Sequence, residues 1–477
     1  MNRKWIAALL AAITCVSAAG CSAGGGSSEP SSASSGEKES TSGTEEVVHP
    51  PKGEVTYSTY GSFWMRNHDC ETMPVAVFNA LPPQMSDYTY NYLASERTIA
   101  DYAEAGVNTL FGLYELCTSK EVETALDRCY DYNIAYVVNM GGANDLTESS
   151  AGLHNLDRVK WHDAFAGVMS CDEPGKVMFE DIARSHSVLD SYTSEAAKGT
   201  LWHVNLFPNY ATQRQLYYRV NSGDLPEGGY TYEQYVSEYM SVVKPKVLSY
   251  DYYPCQGKTG NLSSGYFDNM AIIRRYAAES NVPFWVYIQA CSFGGLSRLP
   301  SEGDLLWQVN TALCYGAKGI QYFCGVTPSD GGGEKFVGSL FDRDGNRTEI
   351  YDYAKRANLQ IAAVDEVLMR SVSKGIVVGG GTPWGEVTGI PQEDILSGYG
   401  KLTGLSAAHA LAGCFDYDGL DAYYVVDNSS VEEDEIVLTF SSPVRGYYVQ
   451  NAVKKQFEGN SLTLKTTAGE GVLVVTE

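Results

Sequence analysis

The chain has 477 residues, more than one small core accounts for, and its 44% hydrophobic and 19% charged content predicts that most of it folds. A formal net charge of −24 argues against nucleic acid, and against an anionic membrane surface, as direct partners. Tyrosine is over-used, 34 against 15 phenylalanines, which suits either half-buried core positions or rings stacked on sugar; clustering decides between them.

Residues 1–21 read as an export signal. Arg3 and Lys4 supply the positive start, and Trp5 to Val16 is an apolar run too short to span a membrane as a stable helix. Ala18-Ala19-Gly20-Cys21 is a small-residue cleavage site that resembles a bacterial lipobox. The resemblance implies cleavage before Cys21 and a lipid on its thiol, anchoring the protein to the cell membrane on its outer side. Residues 22–53 are Gly, Ser, Glu, Thr and Pro with almost nothing apolar, and predict a flexible tether.

From 54 to 370 strand-like and helix-like stretches alternate, after a short lead-in strand at Val55–Trp64. The predicted strands are Val75–Asn79, Val107–Leu113, Ile134–Asn139, Phe165–Ser170, Thr200–Leu206, Val247–Tyr250, Phe284–Ile288 and Gly319–Phe323. Helices are expected over Ser95–Ala105, Lys120–Tyr132, Lys176–Tyr192, Tyr232–Val243, Tyr266–Glu279, Asp304–Tyr315 and Thr348–Met369; the third connection, Gly141–Asp163, is the weakest as a helix. Eight such units over roughly 300 residues predict an α/β fold of the closed (β/α)₈ TIM-barrel type. No Gly-rich turn follows the first strand, which runs into Asn79-Ala80-Leu81-Pro82-Pro83, so a dinucleotide fingerprint is absent. Residues 371–477 read as short strands separated by turn signals: Gly375–Val378, Ala422–Val426, Glu435–Thr439, Gly446–Gln450, Ser461–Lys465 and Gly471–Val475. They predict a small all-β sandwich domain.

A barrel builds its site from residues just past the C-terminal ends of its strands. Those ends offer Asn79, then Tyr114 and Glu115, Asn139, Asp172 and Glu173, Asn205 and Asn209, Asp251 with Tyr252 and Tyr253, Gln289, and Tyr322. This palette of amides, carboxylates and phenols, nearly without cations, lacks what phosphate chemistry requires and matches neutral sugar. The fourth strand, Ala166-Gly167-Val168-Met169-Ser170-Cys171, ends in adjacent carboxylates before Pro174 and Gly175. A carboxyl there is either a cap for the next helix or a half-buried acid aimed at a leaving oxygen. Asp172 and Glu173 alternate along the chain, so Asp172 is open to facing away and bonding loop amides or Lys176. Asp251, in Ser249-Tyr250-Asp251-Tyr252-Tyr253-Pro254, serves either the site or its own turn. His203 is expected inside the barrel, and Trp285 and Trp307 in the core.

Asp172-Glu173-Pro174 after that strand, Val204-Asn205-Leu206-Phe207-Pro208, the Ser249–Pro254 segment and Tyr315-Gly316-Ala317-Lys318-Gly319-Ile320 together resemble (β/α)₈ glycoside hydrolases. The neighbours are family-42-like β-galactosidases and family-123-like β-N-acetylgalactosaminidases. The resemblance implies a glycosidase with Glu173 as general acid/base. It also implies a nucleophilic Glu ending the seventh strand, where this chain has Tyr287-Ile288-Gln289. Two substitutes stay open. Either Asp172 orients the substrate's own 2-acetamido group as nucleophile, or Asp251 is the second carboxylate. Asn79, Asn139, Asn205, Tyr252, Tyr253, Gln289 and Tyr322 are the expected sugar contacts. A glycan-binding lipoprotein without catalysis, on the same scaffold, is the alternative.

The chain has 11 cysteines; with Cys15 and Cys21 in the leader, nine remain, with no close Cys-x-x-Cys pair and no recognisable disulfide framework. Cys117, Cys171, Cys255, Cys291 and Cys324 fall near strand ends, but buried free thiols are expected there rather than a metal site. No cofactor is expected.

Overall fold

The apolar runs become the staves of a barrel. The computed structural model describes residues 72–196, 200–260, 262–263, 265–295, 297–331, 334–379, 390–407 and 409–477. The export signal, Cys21, the tether and the lead-in strand lie outside the described residues. Strands β1 (Val75–Phe78), β2 (Thr109–Leu116), β3 (Ala135–Asn139), β4 (Phe165–Asp172), β5 (Leu201–Leu206), β6 (Leu248–Asp251) and β7 (Phe284–Gln289) pair in parallel, each with the next. After a two-residue strand β8 (Cys291–Ser292), the eighth barrel strand β9 (Gly319–Phe323) pairs with both β7 and β1 and closes the ring. β8 pairs antiparallel with β10 (Val337–Gly338), outside the barrel.

Helices cover the outside. Glu96–Glu104, Lys120–Asp131, Tyr232–Val242 and Glu302–Cys314 each start at a Ser or Thr whose side chain accepts a first-turn N–H. The weak third connection is a single 3₁₀ turn, Ala151–Leu156, and the expected last helix breaks into Glu349–Ala362 and Asp365–Arg370. One short helix, Gln213–Tyr218, lacks a sequence signal long enough to find. Inside the barrel, His203 packs on Phe111 at 4.6 Å and near Trp285 at 6.1 Å. Gly319 makes room for that indole, since a Cβ there would lie 2.6 Å from the Trp285 ring.

The C-terminal β region is one curled sheet. Strands β11 (Val372–Val378), β12 (Ile395–Leu396), β13 (Leu402–Leu405), β14 (Ala410–Tyr417), β15 (Leu420–Asp427), β16 (Asp434–Gln450), β17 (Val453–Thr466) and β18 (Gly471–Thr476) run in the order β12-β11-β14-β15-β18-β16-β13, with β17 beside β16. Strand alternation gives it two apolar faces. Ala422, Tyr424, Val426, Leu473 and Val475 join the core of the barrel, while Tyr423, Val425, Val472 and Val474 form a second core inside the curl. Helix Glu302–Cys314 seats the sheet: Tyr424 donates to Asn310 at 2.7 Å, and the Trp307 indole donates to Asn428 at 2.7 Å. Among the described residues no helix is long and apolar enough to cross a membrane.

Candidate active site

The turn after β4 sets the site. Glu173 adopts a left-handed backbone, φ 46°, which breaks the strand alternation and lets Asp172 and Glu173 both face one pocket. Three bonds hold the turn. The Glu173 N–H donates to the Asn205 carbonyl at 2.8 Å, Arg219 donates to the Asp172 carbonyl at 3.0 Å, and the Tyr235 hydroxyl donates to the Pro174 carbonyl at 2.8 Å. Gly175 is needed here, because a Cβ would lie 2.4 Å from the Arg219 backbone nitrogen.

Asn205, at the end of β5, ties the acids together. Its amide donates to Asp172 at 3.1 Å and to Asp251 at 3.0 Å, which places those two carboxylate oxygens within about 6 Å of each other. Ser249 fixes the amide by donating to its oxygen at 3.1 Å, and Gln321 donates to Ser249 at 2.8 Å. The chain thus builds a polar floor from β4, β5, β6 and β9. The opposite wall is aromatic. Tyr253 meets Phe293 and Phe323 at 5.1 and 5.2 Å, Phe78 meets Phe323 at 6.1 Å, and Phe336 extends the wall past Phe293. Tyr287 and Glu334 complete the lining of the pocket, whose empty space, open solvent included, is about 550 Å³.

Burial sets the electrostatics. Desolvation, then the charges of Asp251 and Asp172, hold the Glu173 carboxyl well above the usual range, against a smaller pull from Arg219. Its side chain is 5% exposed and makes no hydrogen bond or ion pair with a described residue. Asp251 is pushed up to about 8, by burial first and the charge of Asp172 second. Burial also raises Asp172, while the Asn205 amide and the Arg219 cation pull it back. All three acids are raised, and among them Asp172 alone is drawn down by both that amide and that cation.

Of the residues expected at the site, Asp172, Glu173, Asp251, Asn205 and Tyr253 come together at this pocket. The others do not line it. Asn79 donates to the Val326 carbonyl at 2.9 Å, and Asn139 braces its own loop through the Leu113 carbonyl and the Gly141 N–H. Tyr252 bonds Ser263, and Tyr322 points outward to Asn358 at 2.7 Å. Gln289 spends its amide on loop groups, accepting from the Cys255 N–H at 3.0 Å and donating to Ser297 and the Arg298 carbonyl. Glu115 is buried against Tyr136. His203 lies in the barrel interior, where burial lowers it to about 3, and Trp285 and Trp307 are core. Most tyrosines are core as well, so their abundance is not a sugar-binding signal.

Sequence reasoning missed Phe78, Tyr287, Phe293, Phe323, Phe336 and Glu334. Phe293, Phe336 and Glu334 sit on loops beyond the strand ends; β8 and β10 bring those loops together. Phe78, Tyr287 and Phe323 lie in the strands themselves, and a residue type alone did not distinguish them from core. The five cysteines near strand ends are buried free thiols. Among the described residues no group of three His, Cys, Asp or Glu side chains is arranged to hold a metal ion.

No protein-family model matches the chain, and no curated protein matches it. Among solved structures it is similar to a glycoside hydrolase at 10% identity, over 89% of this chain and 99% of that one, with a TM-score of 0.47. It is similar to a GH51 arabinofuranosidase from Xanthomonas axonopodis pv. citri at 9% identity, over 86% and 96%, with a TM-score of 0.44. It spans 63% of the length of a β-galactosidase from the psychrophilic Marinomonas ef1, with 64% of this chain covered, 11% identity and a TM-score of 0.44.

Proposed function

We propose that the protein is a glycoside hydrolase acting on an N-acetylated or neutral sugar, with Glu173 as general acid. The observation that carries this is a carboxyl held well above the usual range, Glu173, beside a second, Asp172, drawn down by Asn205 and Arg219, in an aromatic-walled pocket at the barrel mouth. Glu173 gives its proton to the glycosidic oxygen as the C–O bond breaks, and the bonding electrons leave with the aglycone. On an N-acetylated sugar, electrons arrive at C1 from the substrate's 2-acetamido oxygen, and Asp172 holds the acetamido N–H and balances the charge that develops there. Water then opens the ring so formed, giving its proton to the Glu173 carboxylate. Asp251 as the second carboxylate is the weaker choice, because at about 8 it carries a proton at neutral pH.

The alternative is a glycan-binding protein without catalysis, favoured by Gln289 standing where the resemblance implies a nucleophile. That alternative calls for a Glu173 locked in an ion pair, and none is present among the described residues. A panel of aryl glycosides including N-acetylhexosaminides separates the two. Cleavage by wild type, abolished in Glu173→Gln, sinks the binding-only reading; sugar binding with no cleavage sinks the enzyme. On the sequence of residues 1–53 we place the folded part outside the cytoplasm, held by a lipid on Cys21. Labelled palmitate should enter the wild type and not Cys21→Ser; equal labelling overturns the anchor.

A further inference from the structure

The loop that follows β9 carries a fourth acid into the pocket. Glu334 is 9% exposed, yet its carboxyl makes no hydrogen bond or ion pair with a described residue. Burial raises its proton affinity, and no neighbouring charge acts on it, so it stands apart from the Asp172, Glu173 and Asp251 group. Its place is built. β8 and β10 clip the two loops together through Ser292↔Val337 and Cys291↔Gly338, and Ser339 N–H donates to the Ala290 carbonyl at 2.9 Å. Phe293 and Phe336, 6.2 Å apart, line the same pocket, and a Cβ at Gly294 would lie 3.8 Å from Oε1. A largely buried carboxyl with no donor among the described residues, opening on a pocket, takes its donors from what fills that pocket.

We propose that Glu334 is the specificity-determining contact for hydroxyl groups at the far edge of the sugar ring. This rests on the glycosidase reading and extends it to what that site recognises in the sugar. Ring oxygens at the Asn205 end meet the reacting acids, the aromatic wall takes the C–H face, and Glu334 accepts from hydroxyls at the other end. It is a positioning contact, while proton transfer stays with Glu173.

The test pairs kinetics with binding. On the aryl glycoside that wild type cleaves, Glu334→Gln should raise KM roughly ten- to hundredfold with kcat little changed, the cost of a hydrogen bond to a charged acceptor. One deoxy analogue, weak on wild type, should lose nothing further on the variant. A thousandfold fall in kcat at constant KM, or an unchanged KM, overturns the proposal. Binding gives a readout free of catalysis: fluorescence titration of N-acetylglucosamine, N-acetylgalactosamine, galactose and glucose into Glu173→Gln and into Glu173→Gln/Glu334→Gln, with circular dichroism confirming the fold of both. A tenfold or larger loss in the double variant supports the Glu334 contact even if wild type hydrolyses nothing, in which case only the enzyme reading fails. Equal binding by both, or binding by neither, overturns the Glu334 contact whatever the hydrolysis result.

Discussion

Replacing Asp251 with Asn should stabilise the protein, and the gain should grow with pH. The Asp251 carboxyl is raised from 3.8 to about 8 in the folded chain, chiefly by burial and next by Asp172. A like charge within about 6 Å contributes about 3 kcal/mol at an effective dielectric of about 20, or roughly two pH units, about half of the shift. The stability tied to this proton is complete below the unfolded value of 3.8 and is lost as pH rises towards 8. Through that window the wild type loses about 1.4 kcal/mol per pH unit that an Asn does not. Between about pH 5 and about pH 7 the advantage of Asp251→Asn should therefore widen by about 3 kcal/mol. An Asn keeps the acceptor for the Asn205 amide, so the shape of the floor is conserved. Urea unfolding of both proteins at the two pH values reads the difference. A gap that stays constant with pH means Asp251 is charged in the folded protein, and its place as the proton-holding acid of the floor fails.

Three further outcomes follow from the same geometry. Asn205→Ala removes the donor shared by two buried acids, so Asp251 should titrate still higher and stability fall by about 1–3 kcal/mol; unchanged unfolding would contradict the shared bond. Arg219→Met takes away the cation that lowers Asp172 and Glu173, so the acid limb of the kcat/KM profile, set by ionisation of Asp172, should move to higher pH. An unmoved acid limb would exclude Asp172 as the ionising group. Phe323→Ala opens the aromatic wall and should raise KM with little change in Tm if that wall holds sugar, whereas a large loss of Tm with constant KM marks it as packing only.

The barrel was legible because each stave is a short apolar run bounded by turn formers, and β9 and the helix Tyr266–Glu279 match their predicted bounds. β14 escaped notice for a physical reason. Its sequence, Ala-Leu-Ala-Gly-Cys-Phe-Asp-Tyr, is poor in branched residues because it lies on helix Glu302–Cys314; a Cβ at Gly413 would fall 2.0 Å from the Cys314 carbonyl oxygen. The two strands expected at Glu435–Thr439 and Gly446–Gln450 are one strand, β16, bent by a register shift between Thr439 and Val444. At the site, strand ends were a good guide to the polar floor and a poor one to its edges. Asn79, Asn139, Tyr252, Gln289 and Tyr322 have the expected chemistry but satisfy loop or helix partners. Glu334 was invisible because its position depends on pairing between two loops distant in sequence.

The central claim is that Glu173 delivers a proton to a departing sugar oxygen, and leaving-group dependence tests it most directly. Kinetics of wild type and Glu173→Gln are compared on glycosides whose leaving groups range from dinitrophenol, which departs without help, to simple alcohols. Loss of the acid should cost two to four orders of magnitude, roughly, on poor leaving groups and far less on dinitrophenol. A loss equal across the series, or no loss at all, would contradict the assignment of Glu173.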